Sequence, residues 1–324
     1  MDKGKVENME EMMNRNVTGF SVVIPVYNEE GNIAELYNRL KKVMDSLSSS
    51  YEIIFVDDGS KDASFSILKD LAEKDKNVEI IKFTRNFGHQ LAITAGLDHC
   101  VGEHVVLMDA DLQDQPEEIP KLYEAMGRDY DAVYGIRVDR QDSWLKMVLA
   151  NLFISVLNFI AREKIIFNIS TFIMIKKRVV VVLRNMHERH RMLDGMISWL
   201  GFSCSTVKVN HGKRYSGRAK YTLVKSLKLA LDAVASFSCL PLQMATYIGF
   251  FVAGLSILWG LRLYYQWLIY GMEVPGFATL SIGMFFLGGI QLIILGAIGE
   301  YIGRMYSEEQ KRPLYVIDEI VKTS

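Results

Sequence analysis

The sequence has no Cys-x-x-Cys pair, no apolar stretch near its start, no internal repeat and no large excess of charge. Its three cysteines, Cys100, Cys204 and Cys239, are widely scattered. That usage speaks against a disulfide framework or a cysteine zinc site and suits reduced thiols in a cytosolic compartment. Met1 to Thr18 is polar and charged, so no cleavable signal peptide is expected and the first domain should stay on the side of its synthesis. A net charge of −1 argues against a global preference for nucleic acid. No Gly-x-Gly-x-x-Gly follows the first apolar run, which counts against a dinucleotide-dependent oxidoreductase.

What is present is unevenly spread. Half of the 324 residues are hydrophobic, and the excess concentrates after residue 240. The length suits one catalytic domain of roughly 200 residues with an appendage. From Phe20 onward, short β-rich apolar runs (Phe20–Pro25, Tyr51–Val56, Val78–Phe83, His104–Met108, Asp131–Gly135) alternate with helical patterns. Ile33, Leu36, Leu40, Val43, Met44 and Leu47 recur at helical spacing, with similar patterns at Phe65–Leu71 and Leu91–Leu97. This predicts an α/β, Rossmann-like domain with a mostly parallel sheet, whose ligands bind at the carboxyl ends of the strands. Three polar motifs fall at those ends: Tyr27-Asn28-Glu29, Asp57-Asp58-Gly59-Ser60 and Asp109-Ala110-Asp111.

The last third reads differently. Leu242–Leu261 and Phe277–Ile298 are each long enough to cross a hydrocarbon core of ~30 Å. Their connection, Gly271 to Pro275, has no Lys or Arg, whereas Lys213, Arg214, Arg218, Lys220, Lys225 and Lys228 precede the pair and Arg304, Lys311 and Arg312 follow it. Both flanks are therefore expected on the cytoplasmic side, with Arg262 snorkelling or marking the end of the fully buried part. Trp144–Ile160 and Thr222–Ser238 have the pattern of amphipathic interface helices, which ordinary surface helices share. The expected division is a polar N-terminal segment (1–17), a catalytic domain (18–212), a basic juxtamembrane segment (213–240), two transmembrane helices (241–303) and a C-terminal cytoplasmic tail (304–324). Gly288-Gly289 and Gly296 would allow close helix approach and hence a homo-oligomer, though small residues are a weak signal for it.

Asp109 and Asp111 at a strand end project to one side, ~7 Å apart at Cα. Such like charges need something positive between them, and a hard divalent cation, Mg2+ or Mn2+, meets that need while leaving positions for a diphosphate. It would stabilise charge on a departing nucleoside diphosphate, and Gln113 is placed to add a neutral oxygen. Asp57 and Asp58 are suited to accept hydrogen bonds from a base and ribose, and Ser60 to cap the next helix. In Pro25-x-Tyr27-Asn28-Glu29, Tyr27 is suited to pack on a base and Glu29 to bind it. Arg137 and Arg140 suit diphosphate or acceptor phosphate, or are plain surface arginines. His187 and His190, spaced i, i+3 in an expected helix, read as a solvated face more readily than as metal ligands. The basic, Tyr-containing run from Lys213 to Tyr221 suits anionic headgroups in general or one lipid phosphate.

Val23-Ile24-Pro25-Val26-Tyr27-Asn28-Glu29, Val56-Asp57-Asp58-Gly59-Ser60, Arg85-Asn86-Phe87-Gly88 and Asp109-Ala110-Asp111-Leu112-Gln113-Asp114 resemble family 2 glycosyltransferases of GT-A fold. Val274–Phe277, Leu287–Gly289, Gly299–Arg304 and Arg312–Tyr315 narrow the resemblance to polyprenyl-phosphate glycosyltransferases, the group of bactoprenol glucosyltransferases and dolichol-phosphate mannose synthase. It runs from Phe20 to Val316. The resemblance implies inverting transfer of one sugar from a nucleotide-sugar, with uridine diphosphate the favoured carrier, to polyprenyl (undecaprenyl) phosphate. The implied setting is the cytoplasmic face of a bacterial inner membrane, with a separate flippase as a further partner. It assigns Glu29 and Asp57 to the nucleotide, Asp109, Asp111 and Gln113 to metal and diphosphate, Arg137 to phosphate, and Arg214 to Tyr221, including Lys220, to the lipid phosphate. Ala219 stands where a serine is common. Asn168-Ile169-Ser170-Thr171-Phe172-Ile173 stands where many relatives carry an Asp-x-Gly-Asp-Phe-Arg-like segment, so an aspartate base is missing there. Two other readings remain at this point. One is a catalytically silent membrane scaffold that binds nucleotide-sugar, which the intact Asp109 and Asp111 oppose. The other is a processive polysaccharide synthase, which normally has Gln-x-x-Arg-Trp and more membrane helices.

Overall fold

A computed structural model describes residues 19–137, 171–186, 188–189, 191–210, 212, 240–270 and 276–323. Its strands are β1 Phe20–Val26, β2 Tyr51–Asp57, β3 Val78–Phe83, β4 His104–Leu107, β5 Ala132–Arg137, β6 Ile173–Lys176, β7 Cys204–Val209 and β8 Ile317–Lys322. Its α-helices are α1 Ile33–Leu47, α2 Ser64–Lys74, α3 His89–His99, α4 Ile119–Met126, α5 Lys177–Arg184, α6 Leu193–Trp199, α7 Leu240–Tyr270 and α8 Phe277–Glu309. Trp144–Ile160, Thr222–Ser238, His187 and His190 lie outside the described residues. The described neighbours of the two histidines, Met186, Glu188 and Arg189, are not helical.

All eight strands join one sheet in the order β7-β5-β6-β4-β1-β2-β3-β8. The pairs β1–β2, β2–β3, β1–β4 and β5–β7 are parallel. The pairs β4–β6, β5–β6 and β3–β8 are antiparallel. The first five strands fall where apolar runs predict them, and every antiparallel pair involves β6 or β8, which those runs did not reveal. In β1 and β2 every side chain is buried, because helices cover both faces of the sheet. Alternate residues serve opposite layers. Val22, Ile24 and Val26 pack with Ile33, Leu36 and Leu40 of α1. Val23, Ile54 and Val56 pack with Ala92, Ile93 and Ala95 of α3. α3 lies so close to β1 that a Cβ at Gly96 would sit 2.2 Å from a Val23 methyl.

The described residues divide into two compact units, one holding α7 and α8 up to Lys311, the other the sheet, including the residues from Arg312 onward. α7 has 31 residues and α8 has 33, and they contain the two apolar stretches expected to span. Large apolar side chains on them face outward; Phe250 is 75% and Ile293 74% exposed. Among the described residues, Phe286–Glu309 is long and apolar enough to cross a membrane. The Arg262 guanidinium lies 5.0 Å from the centre of the Trp259 ring.

Residues 304–324, expected as a tail, are divided between the two units. α8 runs to Glu309, and Lys311 then takes a left-handed conformation (φ 47°), a common way for a helix to end. β8 follows and pairs with β3, Ile80 opposite Val321 and Lys82 opposite Glu319. Lys82 Nζ meets Asp318 Oδ2 at 2.8 Å and Lys322 Nζ meets Glu79 Oε2 at 2.6 Å. Tyr315 stacks on Phe83 with centroids 5.0 Å apart, and its hydroxyl donates to Asp98 Oδ2 at 2.7 Å. β8 thus covers the edge that β3 would otherwise expose.

Tyr315→Ala is expected to destabilise the sheet unit by about 2 kcal/mol, from the lost ring pair and hydrogen bond together. Tyr315→Phe should lose about 1 kcal/mol. Thermal unfolding in detergent, with limited proteolysis of the C-terminal segment, measures both; equal stability of all three proteins would mean that Tyr315 does not hold β8.

Candidate active site

The chain runs outward from β1 to β2 and β3, then returns to the other side of β1 as β4. That reversal makes the carboxyl ends of β1 and β4 a topological switch point, where open α/β sheets bind ligands. The β1–β4 pairing ends with Val23 opposite Leu107, followed by one bond from Met108 N–H to Val23 O at 3.2 Å. β1 stays paired with β2 as far as Val26 opposite Asp57. Residues two apart direct their backbone groups to the same side, so Pro25, like Val23, faces β4. Having no N–H, it leaves no donor stranded where the strands part.

The loops after β1 and β2 are fastened to each other. Asn28, in a left-handed conformation (φ 55°), donates its N–H to Ser60 Oγ at 3.0 Å and accepts from Lys61 N–H at 2.8 Å. Glu29 N–H donates to Ser64 Oγ at 2.9 Å, and Asn32 Nδ2 donates to Glu29 Oε2 at 2.5 Å. Tyr27, directly after β1, is partly buried. Ser60 therefore does not cap the following helix as expected: α2 begins at Ser64 with Ala63 at its N-cap, which leaves Ser60 upstream, where its hydroxyl accepts from the β1 loop.

Asp57 and Asp58 occupy different settings. Asp57 is wholly buried; its Oδ1 accepts from Ser60 N–H at 3.1 Å, and its Oδ2 is buried without a hydrogen-bond partner. Burial pushes its carboxyl pKa up, against the lowering effect of Ser60. Asp58 turns to the loop before α3, accepting from Phe87 N–H at 2.6 Å and from Gly88 N–H at 3.0 Å. Asp58, expected at the nucleotide, is thus seen holding Arg85–Gly88 in place. That loop approaches so closely that a Cβ at Gly59 (φ +68°) would lie 2.5 Å from the Arg85 carbonyl carbon, which restricts the position to glycine.

Across the gap, Asp109 is held from both sides. Its Oδ1 lies 2.8 Å from His89 Nε2, and its Oδ2 accepts from Thr171 Oγ1 at 2.7 Å. Burial opposes charge on His89, but the bond to Asp109 and the charges of Asp109, Asp58 and Asp111 outweigh it and raise the imidazole pKa. Asp111, largely buried, accepts Gln113 N–H at 3.1 Å through Oδ1. Leu112 between them is left-handed (φ 60°). Gly212 N–H donates to Gln113 O at 2.8 Å, so the residue directly before the basic run touches the Asp109–Gln113 loop. Arg137 ends β5 opposite Val209. Arg140, Arg214, Lys220 and Tyr221 lie outside the described residues.

His89 lies against Asp109, and that contact favours the protonated imidazole. His89 is not among the sequence candidates, and Thr171 enters there only as part of the Asn168–Ile173 departure. His89 directly follows Arg85–Gly88 and opens α3, but its distance from Asp109 along the chain hides the contact. Among the described residues, no three His, Cys, Asp or Glu side chains gather as a metal cluster. Two carboxylates on one loop form a hard, incomplete oxygen set. That fits a divalent cation whose other positions are filled by phosphate oxygens and water.

Asp58→Asn should weaken the grip on the Phe87 and Gly88 amides and destabilise the unit by about 1–3 kcal/mol. Hydrogen exchange at those amides should accelerate selectively; unchanged protection would remove Asp58 from its positioning role.

The family model described as glycosyl transferase family 2 matches residues 21–183. An uncharacterized glycosyltransferase of Synechocystis is 39% identical over 301 residues, covering 93% of this chain and 95% of that protein. A bactoprenol glucosyl transferase of Shigella phage SfV is 40% identical over 298 residues, covering 92% of this chain and 97% of that protein. Among solved structures, glucosyl-3-phosphoglycerate synthase from Mycobacterium tuberculosis with Mn2+, uridine diphosphate and glucosyl-3-phosphoglycerate overlaps 71% of this chain and 81% of its own. The two share 17% identity at a TM-score of 0.48. By the family match and the near full-length identity to its relatives, the chain belongs to the family 2 glycosyltransferases.

Proposed function

We propose that this glycosyltransferase moves a single sugar from a nucleoside-diphosphate sugar, with uridine the favoured base, to polyprenyl phosphate at the cytoplasmic face of a membrane. The observation that carries the acceptor is the match to bactoprenol glucosyl transferases, which extends through α7 and α8 rather than stopping at the catalytic sheet. The site supports the donor: carboxylates stand after β1, at the end of β2 and after β4, on either side of the point where β1 and β4 part.

In this reading Glu29 and Asp57 receive the nucleoside, and the partnerless Asp57 Oδ2 is the acceptor that a base N–H would satisfy. Asp109, Asp111 and Gln113 hold Mg2+ or Mn2+ with the diphosphate. The cation, when bound, offsets charge on the leaving nucleoside diphosphate. His89 and Thr171 keep Asp109 in position before any ligand arrives, which limits reorganisation during reaction. An oxygen of the lipid phosphate forms the new bond to the anomeric carbon as the bond to the diphosphate breaks, and the electron pair leaves with the nucleoside diphosphate. Attack from the opposite face inverts the anomeric centre. A phosphate monoester is already anionic near neutral pH, so the missing acids at Asn168–Ile173 need not be replaced by a strong base. Arg137, Arg140 and the run from Arg214 to Tyr221 are the candidate partners of the anionic acceptor. The Gly212–Gln113 bond supports starting that run beside the diphosphate.

Two spans follow from connectivity in this reading. β7, which precedes α7 in the chain, and β8, which follows α8, belong to the same sheet, so the chain between them crosses a bilayer an even number of times. If α8 crosses, α7 must return. At ~1.5 Å per residue, 31 residues reach roughly 46 Å, enough for the hydrocarbon core and its interfaces.

Membranes containing the protein should convert one of a panel of radiolabelled nucleotide-sugars and undecaprenyl phosphate into an organic-extractable product, and EDTA should abolish it. Asp111→Asn should lower turnover by on the order of 100-fold with folding and membrane attachment intact. Near-normal turnover would sink the metal assignment, and donor binding without any lipid product would favour a non-catalytic binding role. In sealed vesicles, protease should cut near Lys311 only from the cytoplasmic side; cleavage from the opposite side alone would overturn the topology.

A further inference from the structure

Asp194 is a carboxylate for which the mechanism above has no use. It lies in the first turn of α6, which is fixed against the start of α3 by a hydrogen bond from Leu193 N–H to Gln90 Oε1 at 3.3 Å. His89, the residue before Gln90, lies within electrostatic reach of Asp194, as does Tyr134 of β5. Among the described residues nothing donates a hydrogen bond to it. Through the Leu193–Gln90 bond, His89 beside Asp109 and Tyr134 on β5, Asp194 is tied to the β4–β5 side of the site.

The order of strands gives that position a meaning. Along the carboxyl edge come Asp57 on β2, Tyr27 and Glu29 after β1, Asp109 and Asp111 after β4, then Thr171 before β6 and Tyr134 on β5. Neighbouring strands are ~4.8 Å apart. A nucleoside-diphosphate sugar is itself a linear series of base, ribose, diphosphate and sugar. With the nucleoside at β2 and β1 and the diphosphate at β4, the sugar falls toward β6 and β5. A pyranose presents hydroxyl donors, and a carboxylate lacking a donor of its own accepts them strongly.

We propose that Asp194, supported by His89 and Tyr134, receives hydroxyl groups of the transferred sugar and so sets which sugar the enzyme accepts. The assignment rests on the donor reading given above. Burial pushes the Asp194 carboxyl pKa up to about 6. A group whose folded-state pKa is raised is destabilising where it is ionised, above that pKa, and the effect is absent below the ordinary carboxylate range. Removing the charge should therefore stabilise the unliganded protein near pH 8 while weakening its hold on the sugar. A merely structural carboxylate would not separate these two effects.

The test is calorimetric binding of UDP-, GDP- and dTDP-sugars, including epimers differing at one hydroxyl, beside the corresponding nucleoside diphosphates, to full-length protein in detergent. No lipid acceptor is needed. The wild type should bind one sugar donor more tightly than its diphosphate. Asp194→Asn should reduce that advantage about 10-fold, blur the preference between epimers and leave diphosphate affinity unchanged, with thermal stability at pH 8 equal or higher. Unchanged sugar preference, equal loss of diphosphate binding, or a wild type indifferent to the sugar would each overturn the proposal. A lost sugar preference in the variant together with no transfer to undecaprenyl phosphate by the wild type would instead count against the acceptor and leave this assignment standing.

Discussion

β1 loses its β4 neighbour beyond Val23 while keeping β2, and the polar machinery occupies the gap that opens there. A parallel sheet normally satisfies its backbone groups from both sides, so a strand that outruns one neighbour needs a residue with little to satisfy. Pro25 meets that need on the β4 side. The gap separates the loops of Tyr27–Glu29 and Asp57–Asp58 from that of Asp109–Asp111. Each motif is thereby brought to a common edge without any of them being adjacent in sequence.

Crowding carboxylates around such a gap raises a problem of charge, and the chain meets it with different partners at each position. Asp58 faces the Phe87 and Gly88 amides, Asp109 faces His89 and Thr171, and Asp111 faces the Gln113 amide. Asp57 keeps one oxygen buried without a partner. The resulting loops are tied together by side chain–backbone bonds rather than by regular structure. They hold their shape without being embedded in a ladder, and the close approach at Gly59 makes the arrangement intolerant of a larger residue.

The first five strands and the helices between them are legible because buried parallel strands are continuous apolar runs and α1 has one strongly apolar face. β6 is obscured because Ile173–Ile175 is followed almost at once by the apolar residues of α5, and the combined run has no strand punctuation. β7 and β8 are partly exposed edge strands whose pattern is weak. The acidic motifs themselves stand out from sequence, but their division of labour does not. That Asp58 holds a loop, and that His89 and Thr171 hold Asp109, depends on residues brought together from separate parts of the chain. Those contacts have no periodicity and no fixed spacing from which to read them.

The placement of β8 also orders events during synthesis. Residues that complete the edge of the catalytic sheet are translated after both long helices, although β3, their partner, is made early. The nascent domain can collapse around β1 to β5 as it emerges, yet its β3 edge stays uncapped until the helical pair has been made. Tyr315 then lies against Phe83 and the Lys82–Asp318 pair can form. Completion of the eight-stranded sheet thus follows the helical segment in time, so a chain stalled within α7 or α8 would present an unfinished edge open to strand pairing.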